Sequence, residues 1–391
     1  MPGAGEVLHD GFDHGGRVKS AAASKRVAYL DALKAVAIYF VVVIHVVGFK
    51  VASFDNGVSW FVAHFFSMMA RFAVPVFVMC SGAVLLGRAA ETGEDVLWFY
   101  KRYLVRYVGY LFLGLLVSKA LSLYLGIDVL SLKGIVYEFN AGFGAGMWFF
   151  FMLMGLVLVA PLLQCIVRNR FLTKLFLALW FVFCIVNPLF SGTLGLYRVY
   201  IENALYGSFF VGYFVLGYFL ATMDRQLSAR ALASCAFLGL MLATVAGYAM
   251  SLWHGKLHEY FYYSNNPFVF VYTVSMFLLF KNVFAGKEAG GVLRTLSSVS
   301  GYIYVFHISV ISLVPIGYSQ NILVLFFIRV PAIVFISVVI SLLYMRFLPL
   351  IERFVLLPVQ RMVQVAVGRL YGKLESAVQP YWMAFKAWMF C

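Results

Sequence analysis

Four stretches of this sequence hold ionisable side chains where their surroundings are apolar. The first reads Leu30-Asp31-Ala32-Leu33-Lys34 and then runs through apolar residues to His45. On an α-helix, at about 100° per residue, that spacing leaves Lys34 and His45 about 20° apart, on one face. Their axial separation is about 16 Å at about 1.5 Å per residue. The second stretch carries Trp60, His64, Ser67 and Arg71, whose four- and three-residue steps make a single polar stripe. The third, Phe99-Tyr100-Lys101-Arg102-Tyr103-Leu104-Val105-Arg106, sets Arg102 and Arg106 one turn apart. The fourth is His307, in Tyr302-Ile303-Tyr304-Val305-Phe306-His307. Histidine is the side chain whose unperturbed pKa suits general base work near neutrality. Arginine suits a developing oxyanion or a phosphate group. Each residue also has a plainer reading. Lys34 can snorkel, His45 and His307 can be hydrogen-bonded packing residues, and the third stretch can be membrane anchoring.

The elements that must carry these residues are membrane helices. The 391-residue chain is 63% hydrophobic and 18% aromatic but only 12% charged, and its mean hydropathy is +0.92. Those values exclude a disordered chain, a nucleic-acid-binding domain and almost any soluble enzyme. A helix crossing about 30 Å of hydrocarbon needs about 20 mostly apolar residues. Ten stretches qualify, at 28–49, 58–87, 104–126, 147–167, 171–190, 204–222, 230–252, 267–285, 299–316 and 320–345. The expected fold is an all-α polytopic membrane protein, with Pro75 kinking the second span. Residues 1–25 are a polar N-terminal segment with no apolar signal region, and residues 26–350 form the membrane domain. Residues 351–391 are a basic amphipathic tail suited to an anionic membrane surface. Four of the five cysteines lie in apolar runs and read as small hydrophobes; no metal spacing is present. Arg71 falls near mid-membrane, where a charge costs at least about 2.5–3.5 kcal/mol, so it is expected to line a polar cavity.

These motifs, in this order, resemble the acyltransferase-3 family, integral membrane enzymes that O-acylate carbohydrates. The resemblance rests on Lys34 through His45 preceded by Leu30-Asp31, and on Arg71 followed by Val74-Pro75-Val76-Phe77 and Ser81-Gly82. It rests further on the aromatic-basic run from Phe99 to Arg106, on Trp148-Phe149 with the later Pro161, and on Ile303-Tyr304-Val305-Phe306-His307. The family's basic pair is typically Arg-x-x-Arg, whereas position 103 here is Tyr; its frequent histidine two residues before the tryptophan is Gly146. The resemblance implies transfer of an acyl group, most often acetyl, from cytosolic acyl-CoA to a hydroxyl of a cell-surface or lipid-linked glycan, in a bacterial cell membrane. It implies His45 and Arg71 as catalytic residues, His45 either deprotonating the acceptor hydroxyl or carrying the acyl group covalently, and Lys34, Lys101, Arg102 and Arg106 as donor-binding residues. Trp148, His307 and His64 would contact the acceptor, and Asp31 and Ser81 would support the site. No metal and no nucleic acid is implied. The alternative is a proton-coupled transporter or flippase of a polysaccharide precursor, since intramembrane His and Arg suit that task too.

Lysine and arginine set the expected orientation. With the N-terminus cytoplasmic, 22 of the 30 fall on the cytoplasmic side, 5 on the opposite side, and Lys34, Arg71 and Arg329 within spans. This bias places both termini in the cytoplasm. A reporter enzyme that is active only outside the cytoplasm, fused after Cys391, should stay silent; activity there would reverse the orientation.

Overall fold

The computed structural model describes residues 27–88, 92–126, 146–194, 209–314 and 321–351, together with 365 and 369. Among these residues every regular element is a helix, and none is a strand. Nine continuous helical stretches among the described residues, some of them made of successive helices, are long and apolar enough to cross a membrane, and Phe210–Ala221 is a shorter apolar helix where the sixth of ten spans was expected. The N-terminal segment 1–25 and nearly all of the tail 351–391 lie outside the described residues. So do Lys133, Arg198 and Glu202.

The helices are α1 (Ala28–Ala52), α2 (Val58–Ala70), α3 (Ala73–Leu85), α4 (Gly93–Tyr124), α5 (Trp148–Arg168), α6 (Arg170–Trp180) and α7 (Asn187–Leu194). They continue with α8 (Phe210–Ala221), α9 (Ala229–His254), α10 (Pro267–Val283), α11 (Gly291–Leu313), α12 (Ile322–Val324) and α13 (Val330–Ile351). The chain forms two compact units: Met1–Arg88 with Leu162–Ser341, and Ala89–Pro161 with Leu342–Cys391.

In the first unit α1 packs against α2, α3, α10 and α11. Its Leu33, Ala37, Val42, Val43 and Val47 are fully buried. The second expected span is two helices, α2 and α3, and the interruption sits at Arg71 and Phe72. Pro75 explains the position. A proline lacks an N–H and its ring crowds the carbonyl four residues back, here that of Arg71. The backbone tightens at that point, with the Arg71 N–H donating to Met68 O at 3.1 Å, three residues back. Regular geometry resumes with the Val76 N–H donating to Phe72 O at 3.0 Å. Hydrocarbon offers no water to the groups a break frees. The Tyr272 hydroxyl supplies one bond, donating to Met69 O at 3.0 Å. Two other prolines act similarly. Pro188 and Pro331 each follow a π-helical turn, Phe181–Val186 and Leu325–Arg329, that holds the residue four positions earlier.

Polar side chains also close helix ends inside this unit. Lys281 Nζ donates to the carbonyls of Leu220, Ala221 and Met223 at the end of α8. Gln164 donates to Leu85 O at 3.0 Å at the end of α3. Arg329, a charge within the tenth span, donates to Ile311 O at 3.0 Å in the last turn of α11. Beyond α1, Lys50 donates to Asp55 at 2.6 Å. That bond and the Gly57 N–H hold the exposed Asp55 carboxyl below its usual range.

The second unit contains α4 and most of α5. The sequence suggested a third span from 104, but α4 begins about three turns earlier, at Gly93. Thr92 and Asp95 form a reciprocal capping box there: the Asp95 N–H donates to Thr92 Oγ1, and the Thr92 N–H to Asp95 Oδ2. The early turns are charged, so they carry no hydropathy signal. Tyr110 stacks on Phe150 at 4.9 Å, and the Tyr100 hydroxyl donates to Leu158 O at 2.8 Å.

Helices α3 and α8 approach so closely that two glycines are obligatory. A Cβ at Gly82 would lie 1.8 Å from Phe214 O, and one at Gly217 would lie 2.1 Å from Met79 O. Small residues at such crossings replace a hydrophobic driving force that lipid cannot provide. Gly82→Ala should therefore cost at least about 1–3 kcal/mol, seen as a fall in thermal midpoint in detergent. Gly48→Ala, where nothing lies within 4 Å, should be neutral or slightly stabilising. Equal midpoints for the two variants would contradict the close crossing.

Candidate functional site

The site forms where α1, α2 and α11 of the first unit carry their ionisable residues together. Between Lys34 and His45, α1 has neither glycine nor proline, so a regular helix fixes their separation along one face. His45 is half-buried, and its ring centroid lies 5.0 Å from that of His307, with the planes tilted by 55°. His307 is fully buried. Its Nδ1–H donates to Tyr304 O at 2.7 Å, one turn back on α11. A carbonyl only accepts, so Nδ1 holds the proton and Nε2 keeps a free lone pair. That Nε2 is buried and has no hydrogen-bond partner among the described residues.

Arg71 stands at the α2–α3 break. Its Nη2 donates to Ser67 Oγ at 2.7 Å, one turn earlier. The guanidinium lies 4.7 Å above the centre of the Tyr262 ring. That contact is worth about 0.5–2 kcal/mol when desolvated. Its Nε is buried without a partner, and no carboxylate pairs with it among the described residues. The Arg71 charge acts electrostatically on both His45 and His64.

Behind Arg71 runs a chain of buried hydrogen bonds. His64 is fully buried. Its Nε2–H donates to Thr244 O at 2.9 Å, so its Nδ1 accepts from the Tyr262 hydroxyl. Trp60 stacks on His64 at 5.2 Å, nearly parallel, and donates its indole N–H to Val51 O at 2.9 Å. Trp60 is fully buried, so no exposed ring face is left to stack on a sugar. Of the stripe read from the sequence, Trp60 and His64 are held within the protein, and Ser67 and Arg71 bond each other.

The remaining predicted residues fall as follows. Lys34 is half-buried and has no hydrogen bond or ion pair among the described residues. Asp31 Oδ1 accepts from Ser297 Oγ at 2.6 Å, while Oδ2 is buried without a partner. Ser81 Oγ donates to Phe77 O at 2.9 Å within α3. Lys101, Arg102 and Arg106 belong to the second unit and are exposed along α4. Arg102 lies 5.1 Å over the Trp98 ring, and Arg106 hydrogen-bonds Tyr110. Trp148, 40% exposed, opens α5. No group of His, Cys, Asp and Glu among the described residues is arranged to hold a metal.

Tyr262 and Thr244 were not legible beforehand. Tyr262 is separated from His64 by 198 positions and sits in a short 3₁₀ turn, Glu259–Tyr262. Nothing in the run Tyr260-Phe261-Tyr262-Tyr263 marks one tyrosine over another.

Residues 27–346 match the family profile described as an acyltransferase domain, acyltransferase-3. The chain belongs to that family. It is a multi-pass membrane acyltransferase, working on an acyl donor and an acceptor in a bilayer. Neither a curated protein nor a solved structure matches the chain.

Tyr262 couples the buried chain to Arg71 in two ways, so two substitutions separate them. Tyr262→Phe keeps the ring under the guanidinium and leaves His64 Nδ1 unsatisfied, a cost of about 1–3 kcal/mol in stability. It should retain most acyl transfer. Tyr262→Leu removes the ring as well and should lower kcat more than tenfold, as positioning losses do. Comparable turnover in the two variants would show that the ring does not position Arg71.

Proposed function

We propose, taking that family membership as the premise, that this acyltransferase moves an acetyl group from cytosolic acetyl-CoA to a hydroxyl of a cell-surface or lipid-linked glycan. The product is an O-acetyl ester, and the setting is a bacterial cell membrane with both chain termini in the cytoplasm. The reading rests on one observation above all. His45 shares a helix face with Lys34 and lies beside His307 and within the field of Arg71.

In this reading Lys34 holds a phosphate of the donor at the cytoplasmic side; Lys101, Arg102 and Arg106 are the other cations that the family resemblance implies for the donor. Cations without carboxylate partners suit that task. The pantetheine arm is long and thin, and about 16 Å of α1 separates Lys34 from His45. His45 takes the proton from the acceptor hydroxyl as its oxygen attacks the thioester carbonyl. Arg71 faces the oxyanion that forms there. As the carbon–sulfur bond breaks, His45 returns the proton to the departing thiolate. The net change is one ester formed, one thioester broken and no proton gained or lost. Because both His64 nitrogens are engaged, His64 acts with Tyr262 to position Arg71 rather than to touch the sugar. Trp148 offers an exposed ring for a sugar face, and Asp31 and Ser81 hold local structure.

Purified protein, labelled acetyl-CoA and a crude glycan fraction should together give alkali-labile label on glycan. His45→Gln should reduce that label by about 10²–10⁴-fold while inserting and melting like the wild type, because Gln bonds hydrogen but takes no proton at neutral pH. Labelling by His45→Gln near the wild-type rate would remove His45 from the chemistry. No label even from the wild type would overturn the donor and acceptor classes.

A further inference from the structure

His307 has a buried lone pair that the reaction as described leaves unused. Its ring is anchored on one side, where Nδ1–H bonds Tyr304 O. On the side away from that carbonyl, Nε2 has no partner among the described residues although it is buried. A buried polar atom left unbonded costs about 1–3 kcal/mol, so a group that bonds it part of the time has a reason to be nearby. The neighbouring ring is His45, at a centroid separation of 5.0 Å. Ring nitrogens facing each other across such a gap fall within the hydrogen-bond range of about 2.7–3.2 Å. The His45 ring, which has no hydrogen bond among the described residues, has only to turn about its own side-chain torsions to reach it.

We propose that His307 is a positioning residue for the acyl transfer: its Nε2 accepts the N–H of His45 and so turns the other His45 nitrogen, unprotonated, towards the acceptor hydroxyl. The string runs Tyr304 C=O, His307 Nδ1–H and Nε2, His45 N–H, then the free His45 nitrogen and the substrate O–H. Its logic is that of a nucleophile's base oriented by a third group, with a neutral imidazole in place of a carboxylate. When His45 accepts the hydroxyl proton it becomes a cation donating to His307, a charge-assisted bond and therefore a stronger one. The proton stays on His45 until the departing thiolate takes it, so His307 gains and loses none.

This inference rests on the proposed function, and its test separates the two. With labelled acetyl-CoA and the glycan fraction that the wild type labels, kcat and both KM values are measured for His307→Ala, His307→Phe and His307→Gln. His307→Ala and His307→Phe should lose about 10²-fold or more in kcat with both KM values within about threefold of wild type. Phe keeps the volume without the lone pair, so it carries the test if Ala fails to fold, as judged by thermal midpoint. His307→Gln, whose amide oxygen can accept from His45, should recover at least about tenfold over His307→Phe. A raised acceptor KM with unchanged kcat would overturn the proposal and make His307 a substrate contact instead. Equal loss in Phe and Gln, or no loss in either, would overturn it too. If wild-type protein gives no label, the failure belongs to the proposed function; if His45→Gln is inactive and the His307 variants are not, it belongs to this inference alone.

Discussion

A guanidinium inside a packed helical membrane protein, with no carboxylate paired to it among the described residues, is the constraint around which the site is built. Arg71 is charged at any physiological pH and sits half-buried among apolar helices. Left alone it would be expelled or would drag water inward. Here one donor bond to Ser67 and the face of Tyr262 hold it. Both supports leave its charge intact, which a salt bridge would not. Tyr262 is in turn fixed by His64, and His64 by the Thr244 carbonyl. Tyr262, His64 and Thr244 are all buried, and each is bonded to the next.

Proline chemistry places the charge. Pro75 breaks the second span four residues back, at Arg71, and the residues on either side resume as α2 and α3. A break within hydrocarbon leaves backbone groups in need of partners, and the Tyr272 hydroxyl takes one of them. The same requirement explains Gln164, Lys281 and Arg329, each of which donates to carbonyls at a helix end. From the sequence Arg329 read only as a charge within a span. The task of these polar side chains is to finish helices that the membrane cannot finish.

What was legible in the sequence is what one helix can encode. The shared face of Lys34 and His45, the stripe from Trp60 to Arg71 and the proline break all follow from local periodicity. Periodicity gives a face but not the neighbour that covers it. So His64 read as an acceptor contact, whereas Tyr262 and Thr244, from distant segments, close over it. His307 was legible as a polar residue in an apolar helix, but its place beside His45 depends on α1 packing against α11. The start of α4 escaped notice for a different reason: charged early turns hide from hydropathy, although the Thr92–Asp95 capping signal is written in the sequence.

The two elements that carry the chemistry differ in the property that matters to each. Helix α1 has no proline or glycine between Lys34 and His45, and fully buried valines and alanines grip it on other faces. A straight helix of that kind acts as a spacer, because its rise per residue hardly varies. The α2–α3 pair is interrupted, and the interruption falls at the residue that carries the charge. Misplacing reacting groups by about 1 Å can cost about 10²-fold in rate, so both properties need rigid backing. For α3 that backing is the Gly82 and Gly217 crossing, where backbone meets backbone with no side chain between to give way. The tightest packing of this unit thus lies one helix behind the charge, on the element that fixes where Arg71 can be.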